Sequence, residues 1–433
     1  MATIEESTIY KVRRRFLPLL FCGYLLAYLD RSNVSVAALQ MNKDLGFSPT
    51  VYAIGSGIFF LGYFLFELPS NWALERVGAR LWIARIMISW GVLASCAAFI
   101  WGPSSFYAVR FLVGVGEAGF LPGVVLFLSR WFPAQERATI MGQVFLGVPL
   151  AYVLGAPLSG ALLTLNGLFG LAGWRLLFLI EGIPTIILGF VCLKVLTDAP
   201  SKADWLKPDE RKWLVDTLRA EDVQRAGGTS ESSFFAGFSD LRVWAFALAY
   251  FGINMGIYGI GLWLPQIVKQ LRHGDFVTSL IAAFPYLLGA IAMVWWARNS
   301  DQTNERRWHA VIPCALAAIG LLSSAYFDNP IFSIMAIAVG VIGVMALLPT
   351  FWALPTGILS GSAAAGGIAL INSVGNLGGF GGPYLIGYLR QITNNFQEGL
   401  LFLGMCPLVA AVILFILSTK RTTHDHEQAT QTL

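Results

Sequence analysis

Apolar residues run along this chain in long blocks that follow one another with few interruptions. The blocks fall at 16–38, 51–73, 81–101, 104–129, 138–163, 173–196, 241–268, 276–297, 308–327, 330–356, 364–389 and 396–418. A helix of about 20 residues crosses about 30 Å of hydrocarbon. The blocks are continuously apolar and do not alternate, so the dyad pattern of a membrane β-barrel is absent. The pattern therefore predicts an all-α membrane protein with twelve transmembrane helices. The first fifteen residues are polar and basic, and the first apolar block is too long for a cleaved signal peptide, so it is expected to remain as the first helix.

The segments divide six and six around a polar stretch, which predicts an N-terminal six-helix bundle over 1–196, a cytoplasmic linker over 197–240 and a C-terminal six-helix bundle over 241–433. Within the linker, Pro208-Asp209-Glu210 opens an amphipathic stretch with Trp213, Leu214 and Leu218 on one side, read as a short helix along the membrane surface.

Composition agrees with this solvent. Only 12% of the 433 residues are Asp, Glu, Lys or Arg and 56% are hydrophobic, against about 25% charged in soluble domains. Forty-five Gly and 19 Pro would break soluble helices, but packed bundles tolerate them because neighbours satisfy the freed backbone groups. Placing both termini in the cytoplasm puts Lys11, Arg13, Arg14, Arg15, Arg76, Arg80, Arg130, Arg137, Arg298, Arg306, Arg307, Lys420 and Arg421 inside, against Lys43, Arg175, Lys269, Arg272 and Arg390 outside. The net +4 charge thus reports topology and not nucleic-acid binding, since the cations are spread over loops. Cys22, Cys96, Cys192, Cys314 and Cys406 lie singly inside the apolar blocks and are read as fillers, with no metal site and no disulfide.

The two halves repeat one another. Gly155-Ala156-Pro157-Leu158-Ser159-Gly160 recurs as Gly381-Gly382-Pro383-Tyr384-Leu385-Ile386-Gly387, and the loop Asn71 to Arg80 has a counterpart in Ala297-Arg298-Asn299-Ser300-Asp301 with Arg306 and Arg307. The segment from Asn71 to Arg80 resembles the pattern Gly, three residues, Asp-Arg, any residue, Gly-any-Arg of the major facilitator superfamily, with Asn71 at the first glycine and Glu75 at the acid. The resemblance covers nearly the whole chain. It implies two rocking bundles with a central site, and a gate at the cytoplasmic helix ends made by Glu75, Arg76, Asp301 and Arg307.

Charges inside the blocks are few, and each is a functional candidate because a charge in hydrocarbon is costly. Asp30 and Arg31 lie deep in the first block. Arg110 and Glu117 stand seven residues apart in the fourth, on one helix face about two turns from each other. Glu67 and Glu181 sit nearer helix ends or among Gly and Pro and are read as structural.

The set Tyr28-Leu29-Asp30-Arg31-Ser32-Asn33, Tyr63 and Arg110-Phe111-Leu112-Val113-Gly114-Val115-Gly116-Glu117 resembles the anion:cation symporter family, whose bacterial members take up hexonates, tartrate and phthalate-like acids. The resemblance implies Arg31 as carboxylate anchor, Tyr28 and Tyr63 as cavity contacts, and Asp30 and Glu117 as proton carriers with Arg110 as partner. A guanidinium suits the first role, because its planar fork matches a carboxylate and stays charged in a dry site. A permanent Arg–acid network holding the first and fourth spans together is the structural alternative.

In the second half, Asn254, Tyr258, Trp263, Gln266, Trp352, Asn372 and Asn376 are hydrogen-bonding or amphipathic groups in apolar blocks; by resemblance Trp352 and Asn372 are substrate contacts, and interhelical bonding is the other reading of the asparagines. Gln143 and Pro149 border the same expected cavity, and Ala156-Pro157 only partly matches the Gly-Pro pattern of drug exporters. No nucleophile with a base, metal set or cofactor motif is visible, so an enzyme is not expected. The expected protein is a proton-coupled symporter of an organic anion, acting as a monomer in a bacterial inner membrane; an organic-anion exchanger or exporter is the alternative.

Overall fold

The computed structural model describes residues 3–227, 239–303, 305–358 and 361–431, with the side chains of 138, 222–227, 353, 356–358, 361–365 and 418–431 left aside. The described residues form sixteen α-helices joined by turns and short 3-10 segments, with no strand among them. In chain order these are α1 (Ile4–Asp44), α2 (Pro49–Val77), α3 (Ala79–Cys96), α4 (Pro103–Glu117), α5 (Phe120–Trp131), α6 (Ala134–Phe145), α7 (Gly147–Leu163), α8 (Gly173–Val195), α9 (Pro208–Gly227), α10 (Leu241–Val268), α11 (Asp275–Thr303), α12 (Arg307–Ser324), α13 (Pro330–Ile358), α14 (Gly361–Asn376), α15 (Gly378–Thr393) and α16 (Gln397–Gln431).

Among the described residues, ten stretches are long and apolar enough to cross a membrane. The other two expected spans fall on α1, which carries Asp30 and Arg31, and on α14 with α15, which break at Leu377. Twelve spans result, and the protein is a multi-pass integral membrane protein. Its exposed faces carry Leu65, Phe66 and Leu68 on α2, Ile187 and Phe190 on α8, and Ile291 and Trp295 on α11, a surface that requires lipid as solvent.

Helix starts follow local chemistry. Pro49 and Pro103 occupy first-turn positions, where the missing N–H costs nothing. Asp240 accepts from the Arg242 N–H at 2.8 Å to open α10, and Glu305 accepts from the N–H groups of Trp308 and His309 to open α12. The fourth expected span is two helices. It breaks immediately after Glu117, where Gly119 takes φ +84, a value that favours glycine; Ser70 Oγ on α2 donates to the Ala118 carbonyl at 2.7 Å and ties the break down. The fifth span likewise divides into α6 and α7.

By contacts the chain forms two compact units, one comprising Met1–Val34, Leu61–Gly155 and Leu165–Thr229, the other Ser35–Phe60, Ala156–Thr164 and Ser230–Leu433. The linker helix α9 belongs to the first unit. It is fastened at both ends: Glu210 accepts from Lys11 Nζ at 2.6 Å and from Ser7 Oγ at 2.9 Å, while Glu221 accepts from the Ala134 N–H at 2.8 Å and from Arg137 at 3.0 Å. Leu214 is buried and Trp213 and Leu218 are half-buried, as the expected amphipathic face requires. In the second unit, α10 is the most enclosed span. Met255 packs its backbone where a Cβ on Gly382 of α15 would lie, so only glycine permits that approach.

Candidate functional site

The first unit gathers most of the predicted charged residues. Arg31 directs Nε and Nη2 to one oxygen, Oε1 of Glu117, at 2.9 and 2.5 Å. The arginine side chain is 11% exposed and the glutamate 1%. Tyr28, one turn back on α1, and Tyr63 of α2 face the guanidinium with ring centroids 5.0 and 5.2 Å from its carbon. Two aromatic faces and a carboxylate thus hold the cation within a bundle of apolar helices.

Asp30 faces elsewhere. Adjacent residues on a helix point about 100° apart, so with Arg31 aimed at Glu117 the Asp30 side chain meets α3. There it accepts from Trp90 Nε1 at 3.1 Å through Oδ2 and from Asn33 Nδ2 at 3.4 Å through Oδ1. Asp30, Arg110, Glu117 and Trp90 are all buried. Trp90 was not among the residues that the sequence singled out. The available signal was the indole itself, since a buried Trp N–H in an apolar span needs an acceptor.

Arg110 and Glu117 share α4, but seven residues correspond to about 10 Å of rise, and the hydrogen-bonded partner of Glu117 comes from α1. Of the acids read as structural, Glu67 and Glu181 are buried in α2 and α8.

In the second unit Trp352 of α13 lies edge-on to Tyr250 of α10 at 5.0 Å, and Tyr250 stacks on Phe351 at 4.9 Å. Gly375 of α14 abuts the same Tyr250 ring. Asn372 stands one turn earlier on that face and is half-buried. Tyr250 therefore brings the two residues singled out for substrate contact into one neighbourhood. Asn254 is buried, Tyr258 packs on Phe60 at 4.4 Å, Trp263 Nε1 donates to the Pro383 carbonyl, and Gln266 accepts from Arg390. Asn376 and Gln143 are half-buried, and Pro149 lies in α7.

The gate candidates divide between the units. Arg76 lies 3.7 Å over the Trp72 ring, beside Glu75 near the end of α2. In the second unit Asp301 pairs with Arg306 at 2.7 Å, not with Arg307, which lies over Trp308 and Phe415. The same turn holds a further set absent from the sequence reading. Glu305 Oε2 lies 2.8 Å from His309 Nδ1, and Asn299 Oδ1 lies 2.7 Å from Nε2.

Such a helical bundle, with a few charges enclosed among apolar spans, is a polytopic membrane carrier. The Major Facilitator Superfamily profile matches residues 20–383, and the chain belongs to that superfamily; it is a transport protein, not an enzyme. It is 49% identical over 430 residues to a protein of Agrobacterium vitis named "Putative tartrate transporter", covering 98% of this chain and 95% of that one. It is 39% identical over 430 residues to the "Quinolone resistance transporter" of Acinetobacter baumannii, covering 99% and 98%. The crystal structure of a bacterial homologue of the human lysosomal transporter Spinster, in an inward-facing and unoccupied conformation, matches with TM-score 0.76 at 17% identity, covering 94% and 97%. At that identity the likeness concerns the fold alone.

Proposed function

We propose that the protein takes up an organic anion, a carboxylate or sugar acid, together with protons by alternating access. The observation that carries this reading is the enclosed Arg31–Glu117 pair between Tyr28 and Tyr63. A guanidinium already satisfied by a carboxylate is complementary to a carboxylate substrate. Protonation of Glu117 removes its charge and leaves the Arg31 fork to the anion; when the anion departs, Glu117 re-pairs and gives up its proton. Proton and anion then strengthen each other's binding, as linkage requires.

Asp30 is the second proton carrier in this reading, Arg110 a further cation for the substrate and partner for the acids, and Trp352 and Asn372 are additional substrate contacts. Glu75, Arg76, Asp301 and Arg307 act as gates. The bundles 1–196 and 241–433, joined by 197–240, are the rocking halves, and the protein works as a monomer in a bacterial inner membrane with both termini cytoplasmic. Support for an acid as substrate comes also from the name of the Agrobacterium vitis relative.

An exporter or exchanger is the second reading, favoured by the name of the Acinetobacter relative. Proteoliposomes with an imposed pH gradient separate the two, with tartrate as probe. Uptake against its gradient when the outside is acid, lost in Arg31→Ala, is expected. Extrusion under that gradient, or uptake indifferent to Arg31, overturns the symport reading.

A further inference from the structure

Two acids stand near the Arg31 anchor, and it donates to Glu117 through Nε and Nη2. Glu117 Oε1 accepts from Arg31 Nε and Nη2, while Asp30, the adjoining residue, accepts from Trp90 and Asn33. The charged groups around Asp30 are Arg31 on its own helix and Arg110 and Glu117 on α4. A carboxylate among two arginines would be expected to turn toward one of them. The indole N–H opposes that turn.

Trp90 is well placed to be a fixed donor. It is fully buried on α3, its ring lies 5.9 Å from that of Phe120, and its backbone is backed by Gly116 of α4, where a Cβ would lie 3.3 Å from the Trp90 Cα. A large rigid ring in such a cradle cannot follow the carboxylate if Asp30 moves, so the bond defines where Oδ2 stands.

We propose that Trp90 is a positioning residue that holds Asp30 aside from Arg31, leaving the Nε and Nη2 fork to Glu117 and the substrate anion. The inference rests on the assignment of Arg31 as anchor. Without the indole donor Asp30 gains freedom to pair with Arg31, and then competes with the incoming anion for the same fork. The consequence is a loss of anion affinity that depends on the negative charge of Asp30 and not on the bulk of Trp90.

The test is a double-mutant cycle on equilibrium binding of tartrate to the purified full-length protein. Trp90→Phe keeps an aromatic ring and removes the donor; it should weaken binding about tenfold, the size of one charge-assisted hydrogen bond lost from the arrangement. Asp30→Asn removes the competing charge, and in that background Trp90→Phe should change affinity less than twofold. Trp90→His, which restores an N–H with less bulk, should recover part of the loss.

An equal loss in both backgrounds would assign Trp90 a packing role and overturn the proposal, as would unchanged affinity in Trp90→Phe while Arg31→Ala abolishes binding. Unchanged binding in Arg31→Ala would overturn the anchor itself. Should Trp90→Phe fail to fold, the same comparison is made with Trp90→Leu, which also lacks the donor, and a loss undiminished by Asp30→Asn overturns the proposal.

Discussion

Removing Arg31 should have two separable effects, and a second substitution should repair only one of them. In Arg31→Ala the Glu117 carboxylate, 1% exposed, keeps its burial and loses the two bonds it accepts from Arg31. Breaking a buried pair by deleting one partner costs about 3–5 kcal/mol, most of it from the charge left behind. Anion binding should fall as well, by about 2–5 kcal/mol for a lost buried charge partner, or about 30-fold to several thousand-fold. Adding Glu117→Gln removes the orphaned charge while nearly preserving side-chain volume. The double variant should therefore regain most of the lost thermal stability and none of the affinity. The assay is paired: apparent melting temperature of detergent-purified protein without ligand, and tartrate binding at equilibrium. An Arg31→Ala protein as stable as the parent would refute the energetic reasoning, and a double variant that binds tartrate would remove Arg31 from the site.

Three further outcomes are expected. Tyr52 of α2 donates from its buried hydroxyl to the Leu262 carbonyl of α10 at 2.7 Å, so Tyr52→Phe should weaken this contact by about 1 kcal/mol; a cysteine at the half-buried neighbour Thr50, in a background without the five native cysteines, should react about fivefold faster with a thiol reagent, and an unchanged rate counts against the hydrogen bond's holding α2 to α10. On the linker helix, burial alone would raise the Glu210 carboxyl, but Lys11, Ser7 and the Lys207 N–H outweigh it and hold it below its ordinary value of 4.5. Because the folded value is depressed, its contribution is full above pH about 4.5 and is lost as pH falls through the lower folded value; hydrogen exchange in α9 should quicken over that interval in the parent and show no such dependence in Glu210→Gln. Asp301→Ala frees Arg306 at a partly exposed turn, so transport rate should change several-fold while tartrate affinity stays within twofold, and a large loss of affinity would contradict a gating role.

The helical, membrane-spanning character of the chain was legible because hydrocarbon imposes one simple demand, an apolar run long enough to cross it. Interruptions inside such a run were harder to see. The break after Glu117 leaves no polar gap in the sequence, and Gly119 with Pro122 was its only local sign. The same holds at Leu377, between two glycine-rich helices. The fastening of α9 was equally hidden. Its ties run from Glu210 to Lys11 and from Glu221 to Arg137, residues far apart in the chain, and pairing at such range carries no local pattern.

Within the first unit, the sequence singled out Asp30, Arg31, Arg110 and Glu117 but not how they pair, and helix geometry explains why. Residues three or four apart on a helix can touch, whereas Arg110 and Glu117 share a face without that reach, so the spacing itself required a partner for Glu117 from another helix. Arg31 was the candidate from another span, and whether it reached Glu117 depended on the rotation of α1. Once Arg31 turns to α4, its neighbour Asp30 must turn about 100° away and find a donor on another surface, which Trp90 of α3 supplies. The pairing of two adjacent residues with two different helices is thus a single geometric decision, and Asp30 and Arg31 should respond jointly to any change that rotates this part of α1.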